Sequence, residues 1–159
     1  MNRLLFLLSG CIALSANTAE LKFHDFEDNA IGDVFEMKHI NGDAANATAV
    51  VTEDHTNPAN KVVRIECKSW DTLLALPLPE GITGQNFCDT YQTLQLDLLR
   101  LASSDDDYIQ WVIMLGDDEL YRDEGYPNQG NEEVWQHRAY NFKYVKNNAT
   151  TLYIGLHND

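Results

Sequence analysis

The sequence predicts an all-β fold, an antiparallel β-sandwich of jelly-roll-like form, and three observations carry that expectation. Several segments alternate apolar and polar residues with a period of two. Turn clusters such as "NGD", "TNPAN" and "LPEGITG" recur between them, and no window holds a three-turn apolar stripe capped at both ends. Many short strands with frequent turns fit two packed sheets or a barrel.

Each element follows in turn. "NKVVRIECK" points Val63, Ile65 and Cys67 inward and Arg64, Glu66 and Lys68 outward. "QTLQLDLLR" sets Leu94, Leu96 and Leu98 against Thr93, Gln95 and Asp97, and "TTLYIGLH" sets Leu152, Ile154 and Leu156 against Thr151, Tyr153 and Gly155. Shorter strand candidates lie at "LKFHDFE", "IGDVFEMK", "ATAVVTE", "TLLALPL", "DYIQWVIML" and "EVWQHRAYNF". In "DYIQWVIML" the two faces differ: Ile109, Trp111, Ile113 and Leu115 are all apolar, while Tyr108, Gln110, Val112 and Met114 are mixed. Such a strand is central, with core on one side and either a ligand-binding concavity or a second core on the other.

Two regions stand apart from this pattern. Arg3, the apolar run "LLFLLSGCIAL" (Leu4 to Leu14) and the small residues of "SANTA" (Ser15 to Ala19) have the layout of an export leader, so residues 1–19 are expected to be removed and to lie outside the fold. The apolar run is too short for a membrane-spanning segment. Within it "LSGC" resembles a bacterial lipobox with Cys11 as the lipidated residue, but apolar residues continue past the cysteine, so cleavage near Ala16 to Ala19 is the preferred reading. The exported chain is then periplasmic, extracellular or held at the cell surface. Cys67 and Cys88 remain; Cys67 reads as a small buried hydrophobe, with pairing to Cys88 as the alternative in an oxidising compartment. The second region is "DDELYRDEGYPNQGNEEVWQ", Asp117 to Gln136, a strand leading into a long hairpin loop with "GYPNQG" at its tip.

The charge restricts the partners. With 11 basic and 25 acidic residues, the formal charge of −14 excludes nucleic acid, because phosphates would be repelled at every approach. Motifs for catalysis are absent: there is no HExxH, GxSxG, phosphate loop or dinucleotide fingerprint, and the five histidines are scattered. Glycoside hydrolysis needs only two carboxyl groups about 5 to 10 Å apart, so abundant acids decide nothing. Those of Asp117 to Glu133 read as a solvated face. A calcium loop is the sharper alternative there, though "DDELYRDEG" lacks the D-x-[DN]-x-[DN]-G spacing.

Aromatic residues offer the better functional signal. Trp70 stands between polar neighbours in "KSWDT", Tyr121 and Tyr126 lie in "DDELYRDEGYPNQG" with Tyr126 in its Gly-Tyr-Pro turn, and Tyr108 and Gln110 lie on the mixed face of the central strand. Trp135 is expected to turn into the core. A sugar laid on one exposed ring removes about 50 Å² of apolar surface from water, about 1.3 kcal/mol. Millimolar binding needs roughly 4 kcal/mol, so one ring requires polar partners beside it. Trp70, Tyr108, Gln110, Tyr121 and Tyr126 are accordingly the candidate carbohydrate-binding residues; no residue is a candidate catalyst, and metal ligands are left open.

The order of residues from Phe26 to Gly81 resembles the β-sandwich, carbohydrate-binding-module-like domains attached to family 10 endo-1,4-β-xylanases of gut Bacteroidales. The resemblance is carried by Phe26, Glu27, Asp28, Ile31, Gly32, Asn60, Lys61, Val62, Trp70 and Asp71, and extends through "LYRDEGYPNQ" and "LYIGLHND". It implies a non-catalytic module, residues 20–159, that helps an exported xylanase engage xylan, with a family 10 catalytic barrel elsewhere in the same polypeptide. The barrel's glutamates have no place in a chain without βα alternation. A structural spacer without glycan affinity is the alternative reading. Because such modules end with a strand beyond "LYIGLHND", the resemblance also implies a sandwich lacking its last strand, with the strand around "LKFHDFE" left without its partner and any structural calcium between them in question.

Overall fold

A computed structural model of the chain describes residues 4–15, 20–40, 48–67, 71–100, 109–123 and 133–158. They form two antiparallel sheets and one helical turn, α1 (Phe87–Thr90). The first sheet contains β1 (Leu4–Ser15), β2 (Glu20–His24), β4 (Thr48–Asp54), β5 (Asn57–Cys67), β7 (Thr93–Arg100) and β10 (Gln136–Asn141), in the order β10–β7–β1–β5–β4 with β2 beside β1. The second contains β3 (Met37–Ile40), β6 (Asp71–Pro77), β8 (Ile109–Leu115), β9 (Asp118–Arg122) and β11 (Thr151–Asn158), in the order β3–β6–β11–β8–β9. The expected all-β, sandwich-like architecture is what the chain adopts.

Alternation decides what fills the space between the sheets. Val63, Ile65, Leu94, Leu96 and Leu98 from the first sheet meet Leu74, Leu76, Trp111, Ile113, Leu115, Leu152, Ile154 and Leu156 from the second, all fully buried. The inward sets read from "VVRIEC", "QTLQLDLLR" and "TTLYIGLH" are therefore the core, apart from Cys67, whose side chain lies outside the described residues. Full burial stabilises each such aliphatic side chain by about 1.5–3 kcal/mol relative to exposure. Across the second sheet one inward row runs Met37, Leu74, Ile154, Ile113 and Tyr121, and the neighbouring outward row runs Lys38, Leu73, Gly155, Val112 and Arg122. Gly155 is required there: a Cβ would lie 2.0 Å from the Thr72 carbonyl oxygen and 2.7 Å from Leu73 Cα, so any side chain would force β6 and β11 apart.

In the full chain Leu4–Ser15 is β1, paired with β5 on one side and β7 on the other, with Ile12 and Leu14 in the core. A short apolar run has the composition of an export leader and of a doubly covered strand alike. The strand around "LKFHDFE" is β2, and in the full chain it pairs with β1. Two local expectations are corrected. "IGDVFEMK" is not one strand: Gly32 (φ +93°) and Asp33 turn the chain along the free edge of β4, where Gly32 N–H donates to Val51 O (2.9 Å), Val51 N–H to Asp33 O (2.9 Å) and Phe35 N–H to Ala49 O (2.9 Å). Only from Met37 does it pair in the second sheet, so this segment covers one sheet's edge before joining the other. Trp135 is not in the central core. It packs half-buried against Val62 and Leu99 on the outer face of the first sheet, and its indole N–H donates to Thr56 Oγ1 at 3.1 Å.

Cys88 is a free thiol, so the disulfide alternative does not hold for it. Val145 N–H donates to its sulfur at 3.4 Å, and burial pushes the thiol pKa up. No helix among the described residues is long and apolar enough to cross a membrane.

Candidate functional site

Of the five residues favoured by sequence, Trp70, Tyr108 and Tyr126 lie outside the described residues. The other two are brought together by Asp123. Gln110 is 8% exposed; its Nε2 donates to the Asp123 carbonyl oxygen (2.6 Å) and its Oε1 accepts from an Arg122 guanidinium nitrogen (3.4 Å). The Tyr121 hydroxyl donates to Asp123 Oδ1 at 2.5 Å, while its ring stacks tilted on Tyr140 with centroids 4.7 Å apart. The register shift between Ile113 and Met114 explains the orientation of Tyr121. It inserts an extra residue in β9, so that Leu120 and Tyr121, though adjacent, both turn toward the core. Arg122 and Glu119 are left on the outer side, bonded at 2.8 Å, with Lys143 Nζ on the other Glu119 oxygen at 3.2 Å. Gln110 and Tyr121 thus fasten the β8–β9 edge rather than stand open to solvent.

A different cluster is open. Where β7 begins and β10 ends, a groove of about 350 Å³ is lined by Cys88, Tyr91, Gln92, Thr93, Asn141, Phe142, Lys143 and Tyr144. Two of its lining rings rest on the buried Phe87, whose ring centre lies 5.6 Å from that of Tyr91 and 5.5 Å from that of Phe142. The backbone holds the two walls together, with Tyr91 N–H on Phe87 O (2.7 Å) closing α1 and Phe142 N–H on Gln92 O (2.8 Å) bridging the strands. Tyr144 stands at the rim, 65% exposed. Its hydroxyl donates to Asp89 Oδ1 at 2.8 Å, and Lys146 Nζ meets the other Asp89 oxygen at 3.4 Å, so the ring is pinned at its far end and presents its faces to solvent. Beside it the Thr93 hydroxyl donates to Asn141 Oδ1 at 2.9 Å, which orients the amide. A fixed ring next to amides and a hydroxyl offers a surface for a C–H-rich face and donors and acceptors for hydroxyl groups.

A glycosidase acid needs a carboxyl held protonated near neutral pH, above its ordinary range. Among the described residues, every carboxyl group with a resolved shift moves the other way. The Tyr144 hydroxyl and Lys146 lower Asp89, and Lys38 lowers Asp117. Burial alone would raise Glu119 and Asp54, but hydrogen bonds from Arg122 and Lys143 in the first case, and from Thr56, Asn60 and Trp135 in the second, outweigh it. No carboxylate lines the groove, and among the described residues no three His, Cys, Asp or Glu side chains converge as a metal site would require. A second hollow of about 400 Å³, lined by Ile31, Gly32, Thr48, Val50, Val51, Thr52, Arg64 and Glu66, has no aromatic wall.

Comparison of the chain with protein-family models, with curated proteins and with solved structures gives no match. The site is therefore read from its own geometry. Tyr144 is not among the residues singled out by sequence. The one signal near it in "NFKYVKNN" is the density of lysine and asparagine around the ring.

Proposed function

We propose that this chain is a non-catalytic carbohydrate-binding module that engages xylan or a related plant glycan as part of an exported endo-1,4-β-xylanase, and that one seat for the sugar is the groove beside Tyr144. The carrying observation is the exposed, pinned Tyr144 ring next to Gln92, Thr93 and Asn141. The choice of glycan and of parent enzyme rests on the resemblance of residues 26–81 and on the charge of −14, which favours an uncharged polymer over an anionic one. The proposal calls for no cofactor; a structural calcium ion is the alternative, read by adding a chelator.

Affinity electrophoresis in gels containing soluble xylan tests the reading. The chain should be retarded. Tyr144→Ala, which removes about 1.3 kcal/mol of ring burial, should raise the retardation constant about tenfold. Arg64→Ala, at the hollow without aromatic walls, should leave it unchanged. Equal mobility of the wild-type chain with and without xylan, mannan and glucan would sink glycan binding altogether. Retardation that Tyr144→Ala does not touch would move the site elsewhere on the module.

A further inference from the structure

Strands β7 and β10 pair so that Thr93 stands opposite Asn141, Gln95 opposite Ala139 and Asp97 opposite His137. Residues directly opposite in an antiparallel pair share a face, and the inner face here is taken by Leu94, Leu96 and Tyr140. The three pairs therefore form a row on the outer face of the first sheet. One end of the row opens into the Tyr144 groove, whose lining includes Thr93 and Asn141. The other end meets Trp135, which packs on Leu99, the next outward residue along β7, and keeps part of its surface exposed. From Thr93 to Leu99 an antiparallel strand rises about 20 Å.

The side chains along the row change in a definite order. At the groove end the Thr93 hydroxyl donates to Asn141 Oδ1 at 2.9 Å. In the middle Ala139 is exposed and carries only a methyl group, so the surface beside Gln95 is low. His137 Nδ1 follows, 2.9 Å from Asp97 Oδ1. Trp135 closes the row, with its indole N–H on Thr56 Oγ1 at 3.1 Å. Two rings, each held by a hydrogen bond, thus bracket two polar pairs and a low step between them.

The chemistry of the row selects its occupant. It is a face and not an edge, since β7 is already bonded to β10 on one side and to β1 on the other. A polypeptide segment would bring amides to a surface that offers no ladder to pair them. A polysaccharide brings ring faces and hydroxyl groups, which aromatic and polar side chains satisfy without any backbone partner. The charged members of the row, Asp97 and His137, face one another, which suits an uncharged chain. Affinity calls for the extension as well. Stacking on one ring is worth about tenfold, whereas millimolar binding requires about a thousandfold over the 1 M standard state.

We infer that the groove beside Tyr144 is one end of a longer binding track, which runs along β7 and β10 to Trp135 and takes an internal stretch of one linear, uncharged polysaccharide chain, several sugar units long. The inference rests on the glycan reading and adds to it the length of the ligand and its orientation along the strands.

Isothermal titration calorimetry of the full chain tests it, with the linear disaccharide and hexasaccharide of xylan as probes and those of mannan and glucan run in parallel. Ala139→Arg raises the low step at an exposed position away from the core, and circular dichroism on heating checks that it melts like the wild type. The hexasaccharide should bind about tenfold or more tighter than the disaccharide. Ala139→Arg should weaken the hexasaccharide about tenfold and leave the disaccharide unchanged, while Tyr144→Ala weakens both. Trp135→Leu keeps an apolar contact with Val62 and Leu99 but removes the second ring, and should weaken the hexasaccharide alone, by about threefold because part of the ring is already covered. Equal affinities for the two lengths, or a hexasaccharide affinity that Ala139→Arg leaves unchanged, would overturn the track and leave the glycan reading in place. Binding of none of the three sugars, as oligosaccharide or polymer, would overturn both.

Discussion

On the outer face of the second sheet, Leu73, Val112 and Met114 are buried around Gly155, and Tyr153 packs against them. On the outer face of the first sheet, Arg64 and His137 are exposed, Gln95, Asp97 and Glu66 are half-buried, and His137 Nδ1 lies 2.9 Å from Asp97 Oδ1. The contrast follows from the strands themselves. "TLLALPL" and "IQWVIML" are nearly continuous apolar runs and suit a sheet covered on both faces, whereas β5 and β7 largely alternate and suit a sheet with one wet face. The second sheet thus carries a smaller core of Leu73, Val112 and Met114 on its outer face, while the outer face of the first sets the Val62, Leu99 and Trp135 cluster beside polar and charged residues.

The most severe break in that comparison is Val112→Asp. Val112 is fully buried although it points away from the main core, so a carboxylate there enters a dry site without a partner. Loss of about 4 kcal/mol or more is expected, enough to unfold a domain of ordinary stability, and urea denaturation followed by tryptophan fluorescence reads it. Arg64→Asp, at the corresponding kind of position on the first sheet, should shift the midpoint by less than about 0.5 kcal/mol equivalent. Similar effects at the two positions would show that the outer faces do not differ as described.

An intermediate effect is expected at Asp54, which ties the β4–β5 hairpin of the first sheet. Its Oδ1 accepts from Thr56 N–H and from the Thr56 hydroxyl, both at 2.8 Å, while Asn60 reaches Oδ2 at 3.5 Å. Asp54 is 3% exposed, so Asp54→Ala leaves these donors unmet and should cost about 1–3 kcal/mol at pH 7. Burial pushes this carboxyl up, but the hydrogen bonds hold it net below its ordinary value. A lowered folded-state pKa means the unfolded chain binds the proton first as pH falls. The stabilisation is therefore complete above the ordinary carboxyl range and disappears as pH falls through the folded value. The gap between wild type and variant in urea midpoint should be full at pH 7 and shrink below about pH 4. A gap that widens on acidification would reverse the assignment.

Much of the fold was legible because period-two patterning acts locally: the inward sets of β5, β7 and β11 need only the pleat and an apolar interior. What escaped depends on two-body facts. An apolar run at Leu4–Leu14 carries no mark that separates a leader from a central strand, and its place between β5 and β7 is fixed only by register. A one-residue bulge in β9 reverses the side to which Tyr121 turns, and nothing in "DELYR" announces it. Trp135 precedes β10 by one residue and follows the β4–β5 turn through Thr56, a contact across 79 positions. The groove is assembled from residues 88–93 and 141–144, neither of which is a motif alone. Tyr144 could be suspected from its polar surroundings, but its pinning by Asp89 needed the turn of α1 to bring the two together.

The smallest effect separates the two outer faces most finely. Lys38 sits at the β3 end of the outward row, with Nζ 4.7 Å from the centre of the Tyr153 ring. The same nitrogen donates to Gly116 O at 2.7 Å and to Asp117 at 2.5 Å, so one cation caps the β8–β9 turn and covers the edge of the apolar face. Gly116 has φ +64°, the left-handed conformation that this two-residue hairpin turn requires. Lys38→Met keeps an apolar stem over Tyr153 while removing the charge and the donor, and should cost about 0.5–1 kcal/mol. Because Asp117 is exposed, the ion pair is screened and contributes little of this. The loss should then persist in 1 M salt, where the Debye length is about 3 Å, since the ring and carbonyl contacts are short. If high salt abolishes the difference in urea midpoint, the exposed ion pair rather than the covered ring is what Lys38 contributes, and the apolar face ends at Tyr153.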